Sequence, residues 1–192
     1  MKNTTNNTTK YWIIGIIAVI AIFGIWFVSA YNGLVKLGLE ADGKWANVEA
    51  QYQRRIDLIP NLVNTVKGYS TYEGDLLTKI TELRSQWGAA TTTAQKVDTA
   101  NQMESTISKL LVVAENYPDL KANQNFLALQ DELAGTENRI SVERTRFNDA
   151  VKAYNTKTKL FPTSIVAGMF GFNDKEFFKA AEGAQNAPTV TF

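Results

Sequence analysis

The chain has 192 residues and contains neither cysteine nor histidine. Those two absences remove disulfides, thiol nucleophiles, Cys/His zinc sites, haem ligation by imidazole and any triad that relies on histidine. A lack of cysteine suits either side of a membrane, so it selects no compartment. An excess of charge of one sign is also missing: 20 Lys and Arg stand against 19 Asp and Glu, a formal net charge of +1. Nucleic acid is therefore not an expected partner, because the backbone phosphates need a basic face. No segment has the spacing of a phosphate loop ending in Gly-Lys-Ser/Thr, and no cofactor is expected. Strand patterns and internal repeats are absent as well.

What is present begins with "YWIIGIIAVIAIFGIWFVSA", Tyr11 to Ala30, which holds no charge; the next charged residue is Lys36. As a helix this run rises about 30 Å, enough to cross the hydrocarbon core of a bilayer. Tyr11, Trp12 and Tyr31 fall near its ends, where aromatic rings favour the interface. A cleaved signal peptide is the competing reading, with "VSA" at Val28–Ala30 as its cleavage site. The run exceeds the roughly 7–15 residues of a signal core, and helical patterning continues past it, which favours a retained anchor. Lys2 and Lys10 on one side balance Lys36 and Lys44 on the other, so the basic residues leave orientation open. Residues 1–10 are expected as a disordered polar tail and 11–30 as the transmembrane helix.

Beyond the anchor, Leu34, Leu37, Ala41, Trp45, Val48, Tyr52, Ile59, Leu62, Val66 and Tyr69 recur at steps of three and four. That spacing predicts one long amphipathic helix continuing the membrane helix. "GYSTYEG" (Gly68–Gly74) supplies a reversal. A second pattern runs from Leu76 to Ala114 across "GAATTTA" (Gly88–Ala94), and continuity there is the favoured reading over a loop. Pro118 in "ENYPDLKAN" marks a turn and suits the first turn of a third helix, patterned from Phe126 to Tyr154. "NDKE" (Asn173–Glu176) has N-cap spacing and predicts a short further helix carrying Phe177 and Phe178. The fold class is therefore all-α: a single N-terminal transmembrane helix continuing into an antiparallel up-and-down bundle. Three long helices are expected, or four if Gly88–Ala94 breaks the second, over residues 31–183, with an extended tail at 184–192. With continuity, the third helix runs parallel to the first, so the Phe-rich segment starts at the far end and caps the bundle.

Placing residues at helical intervals puts Arg55 inside the apolar arc of Leu58, Ile59, Leu62, Val63 and Val66. Glu137 and Arg144 fall inside the arc of Leu133, Ile140, Phe147 and Val151, while Glu73, Arg84 and Glu104 lie on or at the edge of the second stripe. A buried charge is costly unless paired. Counting from Leu34 and from Asp119 along parallel helices separates Arg55 and Glu137 by about 4.5 Å of rise, within side-chain reach. The same count puts Glu104 roughly 15 Å away. Arg55, Glu137 and Arg144 are thus expected to form a structural polar layer that fixes helix register. A proton relay or anion site is the functional alternative. Glu73, Glu104 and Glu137 are the carboxylates a hydrolase would have to use. Pro60 is expected either to bend the first helix or, with Asp57 as N-cap, to mark a restart.

Taken in order, "YNGLV", "RRIDLIPNLVNTVKGY", "ENYPDLKANQNF", "ENRISVERTRFNDAVKAYN", "FP" and "FGF" resemble the LemA family of bacterial membrane-anchored proteins. The resemblance covers roughly Tyr31 to Phe178. It implies a short N-terminal tail, one transmembrane helix and a helical bundle at the bacterial cell membrane, with no catalytic or metal residue to carry over. The leading expectation is a non-catalytic, membrane-tethered scaffold or adaptor acting by self-association or by binding other envelope proteins. A sensory module that changes conformation on binding is the second reading, and a carboxylate-dependent hydrolase the remote third.

Overall fold

The computed structural model describes residues 5–69 and 74–179. Six helices occur among them: α1 Thr5–Lys67, α2 Gly74–Ala89, α3 Thr93–Ala114, α4 Pro118–Lys121, α5 Gln124–Lys159 and α6 Thr163–Phe170. No strand is found among the described residues, and the protein is an all-α helical bundle. The chain divides into two compact units, one built on residues up to Asp42 with Asp149–Lys175, the other on Gly43–Asn148 with the described residues from Glu176. The bundle expected at 31–183 contributes to both. Helix α1 already begins at Thr5, inside the stretch expected as a tail. Residues 1–4 and the extended tail at 184–192 lie outside the described residues.

In the first unit, α1 carries the uncharged run with its side chains open to the surroundings: Ile14, Val19, Ile20 and Phe23 are all exposed. Such a helix, apolar on every side, is what a lipid-facing segment requires. Above it, Ala30 and Leu34 pack with Val166 and Ala167 of α6, flanked by Trp26, Phe27, Tyr31 and Phe172. Gly171, at φ 71, ends α6 in the left-handed conformation that glycine adopts without a Cβ clash. The short C-terminal helix therefore forms on "TSIVAGMF" and not on the segment after Asn173, whose residues through Lys179 are not helical. There the backbone is taken by a side chain: Asn155 Oδ1 accepts from Lys175 N–H at 2.9 Å and Asn155 Nδ2 donates to the Lys175 carbonyl at 2.8 Å. A side-chain amide that satisfies an extended residue removes the reason for that residue to enter a helix.

The second unit buries one stripe from each of four helical segments. Val48, Tyr52, Ile56, Ile59, Leu62 and Val66 of α1 meet Ile80 and Leu83 of α2, Met103, Ile107 and Leu110 of α3, and Phe126, Leu133 and Ile140 of α5. The continuity expected across Gly88–Ala94 is not found: α2 ends at Ala89 and α3 starts at Thr93. Thr92 caps the new helix, accepting at Oγ1 from Gln95 N–H at 3.2 Å while Gln95 Oε1 accepts from Thr92 N–H at 3.2 Å. This reciprocal box satisfies amides that a continuous helix would have paired internally. Helices α2 and α3 consequently fold back on each other, with Leu76 beside Val112 and Val113. The extra reversal also turns α5 around. In this unit α5 runs antiparallel to α1, with Arg54 reaching Glu132 at 2.7 Å and Trp45 meeting Phe147 at 5.3 Å between ring centroids. The expected parallel arrangement is thereby overturned, and so is the placement of the Phe-rich segment at the far end.

Candidate functional site

The second unit gathers one buried arginine and its partly buried charged partners at one level. Tyr52 and Arg55 sit three residues apart on α1, a spacing that puts both on one helical face. Tyr52 is 1% exposed and Arg55 5%. Two turns of α5 separate Glu137 from Arg144, so these also share a face. Arg55 Nη1 donates to Glu137 Oε2. The other carboxylate oxygen of Glu137 lies 3.9 Å from Arg144 Nη1. Arg144 Nη2 donates to Glu104 Oε2 of α3 at 2.7 Å. Its Nε donates at 3.0 Å to the Tyr52 phenol oxygen, which Nη2 also reaches. The result is an alternating string, Arg55–Glu137–Arg144–Glu104, in which each charge faces an opposite one.

Burial pushes the Tyr52 hydroxyl up to about 12, against the pull of the Arg144 guanidinium, and Glu104 and Glu137 push in the same direction as burial. For Arg144, burial acts to lower the pKa, but the Tyr52 oxygen and the Glu104 carboxylate outweigh it and hold the guanidinium above its ordinary value. Arg144 is therefore a fixed cation, and the phenol beside it a neutral acceptor at ordinary pH.

A short C-terminal strap closes over this layer. Phe178 is buried, its ring 4.5 Å from Arg144 Cζ and stacked with Tyr52 at 6.3 Å. Asn148 fixes the strap as Asn155 does in the other unit: Phe178 N–H donates to Asn148 Oδ1 at 2.8 Å, and Asn148 Nδ2 donates to the Phe178 carbonyl at 3.0 Å. Asn101 Nδ2 of α3 adds a bond to the Lys179 carbonyl at 3.2 Å. A cation held between two aromatic faces and two carboxylates is strongly constrained in position.

The structure thus brings Arg55, Glu137 and Arg144 together and adds Glu104, which the parallel count had set apart. Arg84 is exposed, and Glu73 lies outside the described residues. Asp57 is exposed and accepts from Gln53 Nε2 at 2.9 Å, a bond within a running helix and not a cap. Nor does α1 restart at Pro60, which stands inside the continuous helix. Ile56, Ile59, Leu62 and Val63 are buried on both sides of it, and their packing holds the helix through one missing hydrogen bond. Tyr52, Phe178 and Asn148 are the participants that periodicity did not single out. Tyr52 was visible only as a member of the apolar stripe.

Chemically, this arrangement offers little to a substrate. Both carboxylates are turned to guanidiniums, whereas hydrolysis needs one that exchanges protons with a bound ligand. Among the described residues no group of three acidic side chains converges where a metal ion could be held. A family model described as the LemA family matches residues 44–192, which span the whole network and its strap. The chain belongs to the LemA family. It is 27% identical over 173 residues to Protein LemA of Metamycoplasma hominis, covering 90% of this chain and 79% of that one. It is also 22% identical over 205 residues to Magnetosome protein MamQ 2 of Paramagnetospirillum magneticum, covering 93% and 75%. Magnetosome protein MamQ of Magnetospirillum gryphiswaldense is 22% identical over 187 residues, covering 84% and 68%. None of these names specifies a reaction.

Proposed function

We propose that this LemA-family chain is a non-catalytic, membrane-tethered scaffold of the bacterial cell membrane, working by self-association or by holding other envelope proteins. The observation that carries this reading is α1 itself. One unbroken helix contains an 18-residue window of mean hydropathy 2.7, only 6% of it buried, and then supplies a core stripe to a helical unit. A tether and a folded body on one element suit a protein that limits its encounters to a membrane surface. The partly buried string of Arg55, Glu137 and Arg144 supports the same reading, because charges paired with one another favour one helix register and engage the groups a reaction would need. Relatives named for LemA and for magnetosomes share most of this chain, which favours a common architecture over one cell-specific process.

Single-molecule photobleaching in supported bilayers tests the self-association arm, using the full chain labelled at one introduced cysteine. Multi-step bleaching that rises with surface density is the expected result. Single steps at every density, together with no crosslinked partner in native membranes, would overturn the scaffold reading.

A further inference from the structure

We infer that α6 and the turn before it form a second membrane contact, lying in the headgroup–acyl boundary of the leaflet from which α1 emerges. This inference rests on reading α1 as a membrane span. Helix α6 packs Val166 and Ala167 on Ala30 and Leu34 of α1, with Thr163 also buried. Its opposite face carries Ile165 and Met169, and the preceding turn carries Phe161; Met169 is 67% and Phe161 81% exposed. A water-facing helix bears polar residues opposite its packed side, whereas this one carries no charge and has only Thr163 and Ser164, both in its first turn, as polar side chains.

The docking partner decides what that outer face meets. Phe170 packs on Phe27 at 5.9 Å and on Tyr31 at 4.8 Å between ring centroids, and the core beneath reaches Trp26. Phe27 and Trp26 belong to the uncharged run itself, roughly 5 Å inside its end at Ala30. If α1 spans the bilayer, a helix packed at that level has its free side in lipid, at the roughly 5–10 Å depth typical of interfacial helices.

Charge placement marks the same boundary. No charged residue occurs between Lys159 and Asp174, nor on α1 between Lys10 and Lys36. Charge returns only beyond the run: Lys36 lies about 9 Å past Ala30 on α1 and Asp42 about 18 Å past it, where Lys159 pairs with Asp174 at 2.6 Å and Lys175 with Asp42 at 2.6 Å. The segment packed level with the end of the run is bare of charge and the charged residues lie beyond it, which is the distribution a bilayer edge imposes. A lipid bilayer is therefore the occupant of this apolar face.

Because the chain has no native cysteine, single cysteines at Met169, Phe161 or Val19 can each carry an environment-sensitive fluorophore. All three positions are exposed, so labelling leaves the packing intact. The full chain is reconstituted into phosphatidylcholine–phosphatidylglycerol vesicles and quenched by aqueous iodide, or by lipids with a nitroxide high or low on the acyl chain. The Met169 and Phe161 probes are expected to lose about half their emission to the shallow nitroxide and to resist iodide. The Val19 probe should respond most to the deep nitroxide. Iodide quenching at Met169 and Phe161 beside lipid quenching at Val19 would overturn the inference while leaving the anchor in place. Shielding from both quenchers would also overturn it, by showing that a protein surface covers α6. Absence of lipid quenching at Val19 would remove the membrane reading and this inference together.

Discussion

Replacing Glu137 by Ala strands Arg55 in the interior of the second unit. Arg55 is 5% exposed, its ion pair is with Glu137, and its Nε already lacks a hydrogen-bond partner among the described residues. Removing one member of a fully buried pair costs about 3–5 kcal/mol. The Glu137 side chain is 34% exposed, so water can enter where it stood; a loss of roughly 2–3 kcal/mol follows. For a chain of this size that corresponds to roughly 4–12 °C in Tm. Arg55→Met should cost less, about 1 kcal/mol, because Glu137 keeps both access to water and a second guanidinium at 3.9 Å. With both changes combined, no unpaired charge remains, and stability should return to within about 1 kcal/mol of the parent. Urea and thermal unfolding of the full chain in detergent, followed by Trp45 and Trp87 emission, measures all four members of the cycle. Trp87 lies 5.0 Å from the Tyr52 ring, so it reports directly on this layer. The reasoning is refuted if the Glu137→Ala loss stays below about 0.5 kcal/mol, or if the double variant loses the sum of the singles.

The phenol of Tyr52 makes stability fall in alkali. Its folded pKa of about 12 lies above the ordinary 10.0, so the contribution is whole below pH 10 and disappears as pH rises towards 12, about 2–3 kcal/mol in all. The stability difference between the parent and Tyr52→Phe should shrink by that amount across the window; a constant difference refutes the assignment. Asn148→Ala removes both bonds that hold the Phe178 backbone, and should cost about 1–2 kcal/mol and speed amide exchange at Phe178 by roughly 5- to 30-fold, at one factor of ten per about 1.4 kcal/mol. Unchanged exchange would show that the aromatic contacts alone hold the strap. Pro60→Ala should raise stability by about 1–2 kcal/mol, since it restores a hydrogen bond inside a helix that is continuous through the site. A loss in urea unfolding would mean that the ring's own packing outweighs that bond.

The helices themselves were legible because burying a stripe forces a period on the sequence, and α1, α3 and α5 all carry one. Turns leave fainter traces. The Thr92–Gln95 box was present in the letters, yet the apolar rhythm on either side of it suggested a helix running through. The strap left no rhythm at all, since a side-chain amide gripping one backbone residue repeats nothing. The meeting of Arg55 and Glu137 is instructive for a different reason, because the count that paired them assumed a parallel third helix and the structure has an antiparallel one. Within the second unit, the α1 segment from Gly43 to Lys67 is centred on Arg55, and the α5 segment from Gln124 to Asn148 is centred on Thr136. Reversing a helix leaves its middle residue at the same height and exchanges its ends. Glu137 therefore keeps its partner under either direction, while everything far from the middle changes place. Leu160 to Phe172 belongs to the other unit, where Phe170 lies against Phe27 and Tyr31 of α1 and does not form the expected cap.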